Sequence, residues 1–194
     1  MYINCYGRPV SASLNAAAHP ELAVLPRGRH SLSREQVRAS QRARMLHAMV
    51  EAVAQKGYAS TSVADVIGGA RASRETFYEH FENKQDCFLA AYDEAVRRLT
   101  DAMRGAAAGG APAAGRFERV LERYLDAIAA EPALARTFLI EVYAAGPDAW
   151  RRRARVLDRF GEVAYELLAG EDAIARLPDR ALACARSRAP SARW

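Results

Sequence analysis

The sequence predicts an all-α protein: an N-terminal three-helix helix-turn-helix domain followed by a C-terminal helical bundle. Three observations carry that expectation. No segment alternates with period two over the length of a strand, whereas apolar residues recur at three- and four-residue spacing through most of the chain. Breaker residues punctuate the runs at Gly57, from Gly105 to Gly115 and at Gly146-Pro147. Residues 57–88, GYASTSVADVIGGARASRETFYEHFENKQDCF, read as a helix, a tight turn, a second short helix and the start of a third.

Residues 1–30 lack any period and contain Pro9, Pro20 and Pro26, so they read as a disordered basic extension. Its end, LPRGRH, is a basic arm suited to following phosphates or entering a minor groove, while residues 1–24 read equally as an inert tail. No charged leader precedes a long apolar core, so a signal peptide is not expected.

The first helix is expected from Ser33 to Lys56. Ser33 caps it, with Gln36 at the capping-box position, and Gly57 stops it. Met45, Leu46, Met49, Val50, Val53 and Ala54 form its inner stripe. A second helix runs from Val63 to Gly69, opened by Ser62 with Asp65, with Val63, Val66 and Ile67 inward. After a turn at Ala70–Ala72, Ser73 caps a third helix reaching Phe81. Asn83 caps a fourth, with Phe88, Leu89, Tyr92, Ala95, Val96, Leu99 and Met103 inside.

The run Gly105–Gly115 reads as a loop. The next helix carries Phe117, Val120, Leu121, Tyr124, Leu125 and Ile128. Pro132 opens another, with Leu134, Phe138, Leu139, Val142 and Tyr143, ended by Gly146-Pro147. The last, Asp148–Ala169, carries Trp150, Ala154, Leu157, Phe160, Ala164, Leu167 and Leu168, and Gly161 allows close helix approach. The domains are therefore residues 31–84 for the helix-turn-helix, 85–177 as a second helical domain, and 178–194 as an irregular tail.

The formal net charge is +5, unevenly placed: six arginines stand between Arg27 and Arg44 against one acid, Glu35. Such a stripe, Arg42 included, points to a polyanion partner, or else is a solvated helix face. Cys5, Cys87 and Cys184 form no CxxC pair, which indicates neither a zinc site nor a disulfide framework, and a reducing cytoplasm is the simplest setting. The four histidines show no HxxxH or HExxH spacing, and neither a GxSxG elbow nor a phosphate-binding glycine loop is present. The sequence thus predicts no enzyme, no cofactor and no metal. Its longest apolar runs fall short of a membrane span.

On the second short helix, Ser73, Arg74, Thr76, Tyr78 and His80 form an outward row of hydrogen-bond donors, backed by Phe77 and Phe81. A donor row on a short helix backed by aromatic core residues suits a DNA major groove. Arg74 and Thr76 project from the first turn, where an arginine can pair with guanine O6 and N7. Glu75, Glu79 and Glu82 repel phosphate, so either the contact face is narrow or Glu75 accepts from a cytosine N4.

From Gln41 to Tyr92 the chain resembles the DNA-binding domain of the TetR family of bacterial transcription regulators. The resemblance rests on Gly57-Tyr58, Thr61-Ser62-Val63, Asp65-Val66, Ala70, Ser73, Thr76-Phe77-Tyr78, His80-Phe81 and Lys84. It implies a cytoplasmic homodimeric repressor on a double-stranded DNA operator, released when a small-molecule effector shifts the spacing of its two recognition helices. It also implies phosphate contacts from Thr61, Tyr78, His80 and Lys84. Phe117, Tyr124, Phe138, Tyr143, Trp150 and Phe160 either line the effector site or are plain core.

Two positions depart from the family pattern, which usually has Gly where this chain has Arg71 and Ala where it has Gly68. The family also closes with two long helices that form a four-helix dimer interface. Here Asp148–Ala169 supplies one, and its partner is cut short by Pro178, which predicts a weaker dimer stabilised by DNA. The alternative is a degenerate or truncated paralogue acting as a helical protein-interaction module without operator binding.

Overall fold

The structure is a computed structural model that describes residues 33–107 and 113–168. The N-terminal extension, the middle of the glycine run, the C-terminal tail and the side chains of Leu167 and Leu168 lie outside what it describes. Among the described residues there are seven α-helices, one 3-10 helix and no strand: α1 (Arg34–Lys56), α2 (Val63–Ala70), α3 (Arg74–His80), α4 (Lys84–Ala107), α5 (Ala113–Ala130), α6 (Pro132–Leu139), the 3-10 helix Glu141–Ala145, and α7 (Pro147–Leu168).

The chain divides into two compact units. The first contains the described residues up to Asp93 together with Glu131–Ala145, and the second contains Glu94–Ala130 and the described residues from Gly146 onward. Residues 131–145, grouped by sequence with the regulatory half, thus sit with the helix-turn-helix.

Local signals set the helix ends of the first unit. Ser33 accepts from the Gln36 amide and the Gln36 side chain accepts from the Ser33 amide, closing the capping box that opens α1. Ser62 and Asp65 repeat the device at α2, where Asp65 also pairs with Lys56 at 2.6 Å, joining the end of α1 to the start of α2. Gly57 ends α1 with φ of +82°, a conformation that strains any side chain. Gly69 lets α1 and α2 close up, because a Cβ there would lie 3.0 Å from Ala48 Cβ.

The turn after α2 closes through Arg71 N–H to Gly68 O and Ala72 N–H to Ile67 O, the paired bonds of a Schellman ending. Arg71 sits in the left-handed region at φ 50°, ψ 45°. Holding a side chain there costs roughly 1 kcal/mol. Gly68 faces open space, so a methyl group there meets nothing. Arg71→Gly is therefore expected to raise stability by about 1 kcal/mol, and Gly68→Ala by about 0.5–1 kcal/mol. Thermal melts of the two variants check this, and a lower midpoint in either contradicts it.

The core of the first unit runs from α1 through the aromatic residues. Met45, Met49, Val53, Val66, Phe77, Cys87 and Phe88 are fully buried. Tyr58 meets Phe88 edge to face at 5.0 Å, and Phe138 of α6 packs against Phe88 at 5.7 Å and Tyr92 at 5.3 Å. Three polar ties fasten the same segment: Thr137 Oγ1 donates to Val50 O, Tyr58 N–H to Glu141 Oε2 and Gln85 Nε2 to Ala145 O. These ties and the Phe138 contacts are why residues 131–145 belong here.

Burial pushes the Cys87 thiol up to about 12, so almost no thiolate exists at neutral pH. Cys87 is expected to resist iodoacetamide in the folded chain and to react once the chain is denatured, read residue by residue by mass spectrometry. Alkylation of Cys87 in the folded chain as fast as in the denatured one contradicts the packing.

Several sequence expectations are corrected. The helix opened by Pro132 ends at Leu139, and a 3-10 segment follows. That tighter turn buries Val142 while Ile140 and Tyr143 turn out to solvent. The Gly105–Gly115 run is more helical than its breakers predict, since α4 persists to Ala107 and α5 starts at Ala113. Alanine's helix preference offsets the glycines there.

In the second unit α5 packs on α7, with Tyr124 and Phe160 edge to face at 6.4 Å, and Arg119 ties α5 to Ala106 O of α4. Val120 is buried, yet Leu121 and Leu125, expected inside, are exposed. On α7, Trp150 and Leu157 are 55% and 50% exposed, although the periodicity placed them inward. Among the described residues α5 packs on α7, and Trp150 and Leu157 lie on a face of α7 left exposed there.

Candidate nucleic-acid interface

α3 is too short to hold itself together in water, so its shape depends on its caps and on what lies beneath it. Ser73 caps it: its side chain accepts from the Thr76 amide at 3.0 Å and meets the Thr76 hydroxyl at 2.8 Å. Phe77 is fully buried and Phe81 nearly so, their rings 5.4 Å apart. These two side chains fix which face of α3 looks outward. That face presents Ser73, Arg74 and Glu75 in the first turn, Thr76 half-buried beside them, and Tyr78 at 48% exposure.

Arg74 lies along the helix towards Tyr78, its guanidinium 5.6 Å from the ring centroid and Nη2 3.5 Å from the hydroxyl. The Tyr78 ring meets Phe77 edge to face at 5.4 Å. Exposed donors at the N-terminus of α3, where the helix dipole favours anions, are a chemically suitable surface for a phosphate-lined groove.

The other predicted contacts sit differently. Thr61 is 2% exposed and its hydroxyl donates to Gly57 O at 2.8 Å, so it fastens the α1–α2 turn and has no hydrogen left for a phosphate. The Lys84 ammonium donates to Tyr58 O and Thr61 O, both at 2.9 Å, and lies 4.2 Å from the Tyr58 ring centroid. Two of its three N–H groups are therefore spent inside the fold. Burial lowers its pKa.

His80 is half-buried with Nε2 enclosed and without a hydrogen-bond partner. Burial first, and then the charges of Arg38 and Arg42, lower its pKa, which favours the neutral ring. A neutral ring offers phosphate a dipole and no charge.

Arg42, also predicted as a contact, donates Nη1 to His80 O at 3.4 Å and places its guanidinium 4.6 Å from the Phe81 ring centroid. Arg38 donates to Glu79 O at 3.3 Å, and Arg44 to Ala70 O at 3.1 Å. Half of the basic stripe thus turns back onto the ends of α2 and α3. Sequence reasoning missed this, because the accepting carbonyls are 26 to 41 residues away.

The six aromatic residues considered for an effector site are split between the units. Phe138 is core and Tyr143 is exposed in the first unit. In the second, Trp150 is exposed, while Phe117, Tyr124 and Phe160 are half-buried. Among the described residues no group of His, Cys, Asp and Glu is placed to hold a metal ion, and no helix is long and apolar enough to cross a membrane.

Comparison with known proteins places this geometry. The profile of the family described as "Bacterial regulatory proteins, tetR family" matches residues 45–91. The transcriptional regulator AcuR of Cereibacter sphaeroides is 38% identical over 60 residues, which are 29% of this chain and 27% of that protein. The chain therefore aligns with little more than a quarter of that relative's length.

The fold reaches further than the sequence. The crystal structure of FadR from Bacillus subtilis in complex with stearoyl-CoA superposes with a TM-score of 0.64 at 17% identity, covering 75% of this chain and 80% of that one. PfmR, a TetR family transcriptional regulator from Thermus thermophilus, gives 0.61 at 24% identity over 76% and 80%. Residues 45–91, from the second half of α1 to the start of α4, are thus similar to the family described as bacterial regulatory proteins of the tetR family.

Proposed function

We propose that the chain is a sequence-specific DNA-binding transcriptional regulator of the repressor type, with α3 as its recognition helix. The observation that carries the proposal is α3 itself, capped by Ser73, locked from below by Phe77 and Phe81, and presenting Arg74, Thr76 and Tyr78 outward. Arg74 reads a base edge, and Thr76, Tyr78 and the remaining Lys84 N–H set the register on phosphates.

One short helix reads few base pairs, so the protein acts as a homodimer on a palindromic operator with half-sites about one helical turn apart, roughly 34–36 Å. Trp150, Leu157 and Tyr165 stand seven and eight residues apart, close to whole turns of α7, and all three are exposed. That face supports α7 as the surface for the second copy. Phe160, included in the sequence-based interface, is engaged with Tyr124 inside the chain. A small-molecule effector acts on the second unit, where Phe117, Tyr124 and Phe160 are the half-buried aromatics available to it.

A gel shift at physiological salt with scrambled competitor DNA, combined with light scattering, tests this reading. The expected result is retention of a selected duplex with two chains bound, and loss of both dimer and shift in Leu157→Glu. A chain that binds selected and scrambled duplexes alike overturns it in favour of a protein-interaction module. A dimer that survives Leu157→Glu places the interface off this face.

A further inference from the structure

The recognition helix has its N-terminal end capped by Ser73, but its C-terminal end is left with backbone carbonyls that no residue of its own turn satisfies, apart from Phe77 O, which takes the Phe81 amide. Two arginines of α1 reach them. Arg38 Nη2 donates to Glu79 O at 3.3 Å, and Arg42 Nη1 donates to His80 O at 3.4 Å. The Arg42 guanidinium lies at the same time 4.6 Å from the centroid of Phe81, whose ring closes the floor of α3. Two residues further along α1, Arg44 does the same for α2 at Ala70 O.

Cations at helix C-termini are favoured by the dipole. A guanidinium also suits this place better than an ammonium, since its planar fork can donate to a carbonyl while its face rests on an aromatic ring.

We propose that Arg38 and Arg42 are positioning residues that set sequence discrimination by holding the C-terminal end of α3, and that their effect on binding does not come from phosphate contact. The proposal rests on α3 being the recognition helix. If these side chains release α3, its outward row loses its aim at the base edges while the charge that draws the protein to DNA is otherwise intact. Base readout then suffers and non-specific attraction does not.

The experiment uses the full chain, a duplex selected from a random pool and its scrambled counterpart, over a series of salt concentrations. In Arg38→Lys with Arg42→Lys the two positive charges remain. The expected result is at least a tenfold fall in the ratio of operator to scrambled affinity, with the slope of log affinity against log salt unchanged. Arg38→Met with Arg42→Met keeps much of the apolar stem and removes the donors, and is expected to lose discrimination to the same extent. Amide exchange at Phe77, Tyr78 and Phe81 is expected to accelerate in both pairs while Met49 and Val53 stay protected.

If the lysine pair keeps wild-type discrimination, the proposal is overturned. It is also overturned if the methionine pair weakens both duplexes equally and flattens the salt slope by about 0.9 for each phosphate lost, the signature of direct phosphate contact. A wild-type chain that does not discriminate between the duplexes fails the recognition-helix reading itself, an outcome the lysine pair is not needed to reveal.

Discussion

Phe77→Ala is expected to destabilise the first unit by about 3–5 kcal/mol, the usual cost of deleting a fully buried phenylalanine. Phe77 has no exposed surface, is the buried residue of a seven-residue helix, and touches both Phe81 and Tyr78. Its removal leaves a cavity under α3 that the caps at Ser73 and Arg42 cannot close. Since small domains are stable by only about 5–15 kcal/mol in total, the loss should be visible as a large fall in the denaturation midpoint. Operator binding should fail with it, because α3 has no independent stability. A variant that melts within a degree or two of the parent contradicts the account of how α3 is held.

The second large effect falls on binding and leaves the fold alone. Arg74→Ala is expected to cost about 1–3 kcal/mol on the operator, the discrimination carried by one well-placed arginine–guanine pair, and to relax preference at a single base position. Arg74 is exposed and its nearest partner is Tyr78 at 3.5 Å, so little folding energy depends on it. Lys84→Ala provides the contrast. Its ammonium joins the carbonyls of Tyr58 and Thr61, so the alanine variant should lose stability as well as affinity, alike on every sequence. Titrations of both variants against operator and scrambled duplex separate the roles. Equal losses on the two duplexes for Arg74→Ala remove its base-reading role.

What was legible in the sequence was local. Ser33 with Gln36, Ser62 with Asp65, and Ser73 are capping residues whose partners lie three positions away, and each cap is where the spacing put it. Gly57 was readable as a helix stop for the same reason, whereas the left-handed backbone at Arg71 was suggested only by the glycine usual at that place in the family the segment resembles.

Long-range partners were not legible. Nothing near Arg42 in sequence announces the carbonyl of His80, and nothing near Tyr58 announces Glu141, which is 83 residues away. Thr61 reads as a surface hydroxyl until the turn folds it against Gly57 O. The periodicity of α7 identified an apolar face at Trp150 and Leu157, but periodicity does not say whether a chain's own helices or a second copy cover it. The stop at Leu139 was hidden because the 3-10 segment keeps Phe138 and Val142 inward at nearly helical spacing.

The most direct test of the central claim is a selection of bound duplexes from a random pool by the full chain at physiological salt, followed by sequencing. The account predicts a pair of inverted half-sites with centres about 10 base pairs, or a multiple of one helical turn, apart. It also predicts that Arg74→Ala, carried through the same selection, loses one symmetry-related base position and keeps the rest. A pool that emerges without inverted symmetry, or an unchanged half-site in the Arg74→Ala selection, contradicts it.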